Sequence, residues 1–354
     1  ISGEPGSLGA WVKGAAVGSR AVTSASGIGS WPGTDVAEAL RIQRELLGDH
    51  DEQADGVRGI PSLPELPARG PGGDIIGRTA GLLVDLAVDL QPAGWRFVDR
   101  PGRDAARTAA FWGEDLDELA AAFDGYAGPL KVAVAGPFTL AADIWLHRGE
   151  RAIVDPGATR DLSESLAEGL RTLLVRLTRL VPGAELIVQV DEPSLPAVLD
   201  GRLPTASGFG RLRAIDVQDA LPALQTVLAA AGEHRTIVHC CAAYPPLPLL
   251  RRSGAGGLSV DTTLITPRGW EGLAVAVEDG VRLHAGCVPT APEAVVDPVA
   301  VADHLASAWS RVGMPPAHLD DLVVTATCGL AGLIPSAAIT WQRACVQVPA
   351  ELVT

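Results

Sequence analysis

His239 and Cys241 stand two residues apart in TIVHCCAAYP (236–245), and a further thiol, Cys328, lies in TCGLAG (327–332). One imidazole and two thiolates make a donor set suited to zinc, a borderline-soft ion that prefers tetrahedral sites and leaves a fourth position open for a reactant. Side chains alternate along a strand, so His239 and Cys241 share a face while Cys240 points the other way and is expected to pack. An H-x-C pair alone is as readily a buried histidine beside a small apolar sulfur. Cys328, followed by a glycine that permits close backbone approach, tips the set toward a metal. Asp261, closing GGLSVD (256–261), is a candidate oxygen ligand or a hydrogen-bond partner for His239. Cys345 lies in an apolar helical stretch and is expected in the core.

These residues need elements that bring them together. Short β-rich runs occur at 130–135, 185–191, 235–241, 256–261, 281–288 and 322–327. Between them lie stretches of helical periodicity at 158–181, 217–232, 268–278 and 297–313. With a first strand near 22–30, a second between about 60 and 90, and a last helix near 335–353, the chain holds about eight βα units. The expected fold is therefore α/β, a single (β/α)8 TIM barrel over 22–354, with residues 1–21 as an N-terminal extension, disordered or engineered. An open doubly wound sheet is less favoured, because no G-x-G-x-x-G follows the first strand. The Gly-, Pro- and acid-rich segment 48–75 is expected to be a long loop over the barrel mouth.

In such barrels chemistry collects at the carboxyl ends of the strands. The residues expected to close them are Ser30, Asp191 with Glu192, His239 and Cys241, Asp261, His284 and Cys328. For Asp191 and Glu192 a helix-capping role before Pro193 is the competing reading. For His284 it is a hydrogen-bonded core histidine.

Composition narrows the classes. Asp and Glu number 42 against 28 Lys and Arg, a net charge of −14 that repels phosphate backbones and anionic lipid heads. Neither nucleic acid nor membrane is an expected partner, and no apolar run approaches a membrane span. The first residues lack the pattern of a signal peptide, so a cytoplasmic location is expected. Five cysteines, an odd number crowded toward the C-terminus, argue against a disulfide framework and leave thiols available as ligands.

The ordered motifs GIGSWPGT, IVQVDEPSL, IVHCC, LSVDT, RLHAG and TCGLAG resemble the C-terminal catalytic barrel of cobalamin-independent methionine synthase, within the superfamily that includes uroporphyrinogen decarboxylase. The resemblance runs from about residue 24 to the end. It implies a zinc-dependent (Zn2+) transfer of a methyl group to the thiol of homocysteine, giving methionine. By motif, His239, Cys241 and Cys328 resemble the zinc ligands, and Asp261 takes the place of a glutamate. Asp191 resembles the carboxylate that holds the substrate's ammonium, and Glu65, in LPELPARG, a second such group. The backbone from Ile28 to Ser30 and the Ser30 hydroxyl resemble the holder of its carboxylate. His284 resembles the proton donor to the leaving group.

The chain departs from the family in three ways. Asp261 is one methylene shorter than glutamate, the chain is one barrel where full-length synthases resemble two in tandem, and few basic residues and only 4% aromatics are there to bind a flat anionic pterin. The methyl donor is therefore left between a methylated folate and a methylcorrinoid, with Trp31, Trp95 and Trp112 as candidate stacking surfaces. The alternatives are a zinc methyltransferase for another thiol such as coenzyme M, a zinc-binding barrel without transfer activity, and a metal-free decarboxylase-like homologue.

Overall fold

The computed structural model describes residues 23–291 and 296–352; the expected extension at 1–21 lies outside the described residues. The strands are β1 (Ser24–Ser26), β2 (Arg58–Ile60), β3 (Ala87–Gln91), β4 (Gly94–Val98), β5 (Pro129–Ala135), β6 (Glu185–Asp191), β7 (Arg235–Cys240), β8 (Gly257–Asp261), β9 (Arg282–Val288) and β10 (Val323–Ala326). Eight of them form one sheet in the order β2-β1-β10-β9-β8-β7-β6-β5, and every pair is parallel. The sheet closes between β2 and β5. There the Leu63 N–H donates to Lys131 O and the Lys131 N–H to Pro61 O, both at 2.9 Å. The result is the expected α/β barrel.

From β5 onward the strands fall where the apolar, β-branched runs lie, because a strand buried on both faces has no polar alternation. The first two are only three residues long, and β2 sits inside the segment expected to be a loop. An antiparallel hairpin, β3–β4, stands apart from the barrel; its backbone also pairs with Trp145, whose N–H donates to Trp95 O at 2.8 Å. Neither this hairpin nor the 20-residue helix Arg103–Ala122 was expected.

The longest helix is started by local chemistry and held by one apolar face. In Pro156–Leu180, Asp155 accepts from the N–H groups of Gly157 and Ala158, and Pro156 occupies the first turn, where its missing N–H costs nothing. Leu162, Leu166, Leu170, Leu173, Leu174 and Leu177 recur at helical spacing and are buried, each contributing about 2 kcal/mol of apolar burial. Trp31, Trp95 and Trp112 are buried in the same core. They are packing residues, and Trp112 lies under the Arg78 guanidinium. Among the described residues no helix is long and apolar enough to cross a membrane.

Inside the barrel, Ile60, Ile187, Ile237 and Val323 form a small apolar plug. Beside it and on toward the carboxyl ends, the interior turns polar: Lys131, Gln189, His239, Ser259, His284 and Thr325 are all buried.

Candidate functional site

The barrel mouth has two sides. On one, the end of β7 and the segment after β10 bring Cys241 and Cys328 together with 3.7 Å between sulfurs, joined by a thiol hydrogen bond. All five cysteines are free, and Cys328 is exposed. The Cys241 S–H and the Gly329 N–H both favour the Cys328 thiolate and hold that thiol down to about 6, while Cys241 is pushed up. At Gly329 an added Cβ would come within 2.0 Å of Ser30 Oγ and force that hydroxyl to turn away. The Leu330 N–H donates to Ser30 O at 2.9 Å, which pins the Cys328 segment to the end of the first unit.

His239 lies two residues before Cys241, buried, with Nδ1 2.9 Å from Ser259 Oγ. Burial holds its pKa down to about 3, so the ring is neutral, the form that binds metals. If Nδ1 carries the proton to Ser259, Nε2 presents the lone pair. Ser259, not Asp261, therefore supplies the outer hydrogen bond. Asp261 instead caps the short turn Thr262–Leu264, its Oδ1 accepting from Thr263 N at 2.9 Å and Thr263 Oγ1 at 2.6 Å. It remains near enough for its charge to disfavour the Cys328 thiolate.

The other side is built from carboxylates. Hydrogen bonds beyond β1 and β2 run from the Trp31 N–H to Glu65 O and from the Glu65 N–H to Gly29 O, setting Ser30 beside Glu65. Burial pushes Glu65 up to about 7 against the opposing Arg78 and Lys131 charges, and its Oε1 has no hydrogen-bond partner among the described residues. Asp191 ends β6 next to His239 in register. Its Oδ1 accepts from Gln189 Nε2 at 2.8 Å, and burial together with the Glu65 charge pushes it well above the ordinary carboxylate range. The Ile28 carbonyl accepts from the same Gln189 amide at 2.8 Å. Among the described residues, the N–H groups of Ile28, Gly29 and Ser30 have no protein acceptor, a run of donors suited to an anion.

Glu192 plays the capping role weighed above, but for another unit. It accepts from Phe138 N, Thr139 N and Thr139 Oγ1 at 3.0, 2.8 and 2.8 Å, at the start of the helix Pro137–Asp143. A Cβ at Gly136 would fall 2.3 Å from its carboxylate. Even so, burial pushes Glu192 up to about 7.

His284 does not close its strand. β9 continues to Val288, and Gly286 is the residue level with Asp261. His284 lies one inward-facing position deeper, level with Ser259 and Val323. Both its ring nitrogens are buried without hydrogen-bond partners among the described residues, and burial holds its pKa well below the usual value. A histidine so placed is neutral and sits one layer below the strand ends. Sequence reasoning missed Lys131 and Gln189; the signal was a lone Lys in LKVAVA and a lone Gln in LIVQVD, polar residues in otherwise apolar strands.

The chain resembles a solved B12-independent methionine synthase from Shewanella sp. W3-18-1, in complex with selenomethionine. The TM-score is 0.60 at 16% identity, covering 94% of this chain and 98% of that one. That likeness is one of fold. The carboxyl transferase domain of Rhizobium etli pyruvate carboxylase aligns over 66% of this chain and 44% of its own with a TM-score of 0.25 at 14% identity, too low to bear on fold or function. No protein-family model and no curated protein matches the chain.

The mouth suits zinc in donor type. Two sulfurs on one tetrahedral zinc, each about 2.3 Å from it, lie roughly 3.8 Å apart, close to the 3.7 Å found here. As the side chains stand, no group of three or more His, Cys, Asp or Glu residues among those described is drawn together around a single metal position. A third ligand therefore requires side-chain adjustment, with His239 the nearest in sequence to the sulfur pair.

Proposed function

We propose that this barrel is a zinc-dependent methyltransferase that moves a methyl group to the thiol of homocysteine, giving methionine, with a methylated folate or a methylcorrinoid as donor. The reading rests on one observation: two thiols separated by 87 residues in sequence meet 3.7 Å apart at the carboxyl ends of parallel strands, where barrel enzymes do their chemistry. Cys241, Cys328 and His239 would hold the metal, and Asp261 is the remaining candidate donor. When bound, zinc supplies a Lewis acid that lowers the pKa of an incoming thiol.

The chain's own residues handle the rest of the substrate. Asp191 and Glu65, buried and short of compensating charge, attract an ammonium, since bringing a cation beside them relieves their desolvation. The open N–H groups from Ile28 to Ser30, with the Ser30 hydroxyl, would take the amino-acid carboxylate. The carboxylate pair favours an amino-acid thiol over coenzyme M, which has no amino group to grip. The selenomethionine bound by the Shewanella protein agrees with a ligand of this class. By the same motif resemblance His284 would donate the proton to the leaving group, from a position level with Ser259.

The test is metal analysis of the purified protein followed by methyl transfer to homocysteine, offering methylfolate and methylcobalamin in parallel. About one zinc per chain and transfer from one donor are expected. Bound zinc with no transfer from either donor would leave a zinc-binding barrel, and a protein that takes up no zinc would remove the reading altogether.

A further inference from the structure

The mouth contains a buried cation that the proposed chemistry does not use. Lys131 is the third residue of β5 and is level with Ile187 of the apolar plug. Its side chain rises through the barrel interior, and Nζ donates to Gly27 O and, at 2.7 Å, to Gln189 Oε1. The Gln189 amide then donates to Ile28 O and to Asp191 Oδ1, both at 2.8 Å. Lys131 and Gln189 are both fully buried.

We infer that Lys131 is a positioning residue for the amino-acid end of the substrate. Through one hydrogen-bonded amide it sets the orientation of Asp191, and through Gly27 it holds the backbone that leads to Ser30. This rests on the proposed reading in which Asp191 takes the ammonium and residues 28–30 the carboxylate.

Two features support it. Gln189 has one acceptor and one donor end, and the Lys131 ammonium at Oε1 acts with the Ile28 carbonyl at Nε2 to hold the orientation in which Nε2 meets Asp191. Charge matters too. Lys131 opposes the charge of both Asp191 and Glu65, and Arg78 opposes that of Glu65 as well. Lys131 itself lies beneath the substrate and does not touch it.

The experiment measures binding of L-methionine and of 4-(methylthio)butanoate, which lacks the amino group, to zinc-loaded protein by titration calorimetry. Wild type is expected to prefer the amino acid by about tenfold or more, the scale of one charge-assisted hydrogen bond. In Lys131→Met the preference should fall to within about threefold, with zinc content unchanged. General loosening of the fold would weaken both ligands together and leave their ratio intact. Gln189→Leu keeps the cation and cuts the link, so it should show the same collapse and decides the matter if Lys131→Met does not fold. A folded, zinc-loaded variant that keeps the wild-type ratio overturns the inference. A wild type that shows no preference overturns instead the amino-acid reading on which it rests.

Discussion

The two sides of the mouth are built on opposite plans. On the carboxylate side every element is tied down: Asp191 to Gln189, Gln189 to Lys131 and Ile28, Ser30 to Leu330, and the Glu65 backbone to its neighbours on both sides. The sulfur side is looser. Its backbone is pinned through the Leu330 N–H to Ser30 O, but Cys328 is exposed on a segment beyond β10 and its side chain is hydrogen-bonded to the Cys241 sulfur and the Gly329 N–H. On the proposed reading, the difference teaches that a site for a charged organic group is preformed by the fold, whereas the metal would complete its own site from ligands the fold brings within reach.

The largest break in this contrast is Cys328→Ser. It removes half of the sulfur pair and should lower zinc retained after dialysis from about one equivalent to under about a tenth, while L-methionine still protects the barrel from thermal unfolding. Loss of both together would mean that the sides are not separable.

Glu192 sharpens the picture from the structural direction. Its folded pKa, about 7, lies above the ordinary 4.5, so the folded state keeps the proton longer. Stability is then greatest below 4.5 and falls as pH rises to 7, by roughly 3 kcal/mol from this group alone. Urea midpoints at pH 4.5 and 7.5 should therefore decline less in Glu192→Gln than in wild type. Equal declines would show that Glu192 does not titrate in this range.

Asp191→Asn addresses the ammonium grip. It should raise KM for homocysteine by about 10- to 100-fold, the range for a hydrogen bond to a charged group, and leave zinc content alone. The smallest effect belongs to Ser259→Ala, which frees the His239 ring and should weaken zinc binding by about tenfold in competition with a chelator. An unchanged affinity would remove His239 from the ligand set.

Much of this architecture is legible in the residues themselves. From β5 to β10 the strands announce themselves because burial on both faces demands uninterrupted apolar runs, and the strand-end rule then singles out His239, Cys241 and Cys328. β1 and β2 are three residues each and carry no period to read. The β3–β4 hairpin escaped because it belongs to no βα unit. His284 was misplaced because a polar residue inside an apolar run was taken for its end, and Lys131 and Gln189 were missed for the complementary reason: their partners lie on other strands. Which buried polar group meets which is decided by register across the barrel, information no single strand contains.

The closure of the sheet has a consequence for exchange with solvent. β5 and β6 are paired along all seven residues of each strand, but β2 and β5 are joined across the seam by the two backbone bonds at Lys131. Glu65 lies on the segment just past β2 and the seam, so transient opening there would free one wall of the proposed ammonium grip while the sulfur-bearing strands stay paired. Amide hydrogens of Leu63 and Lys131 should accordingly exchange ahead of those in the centre of β6, with ligand binding slowing the former far more than the latter.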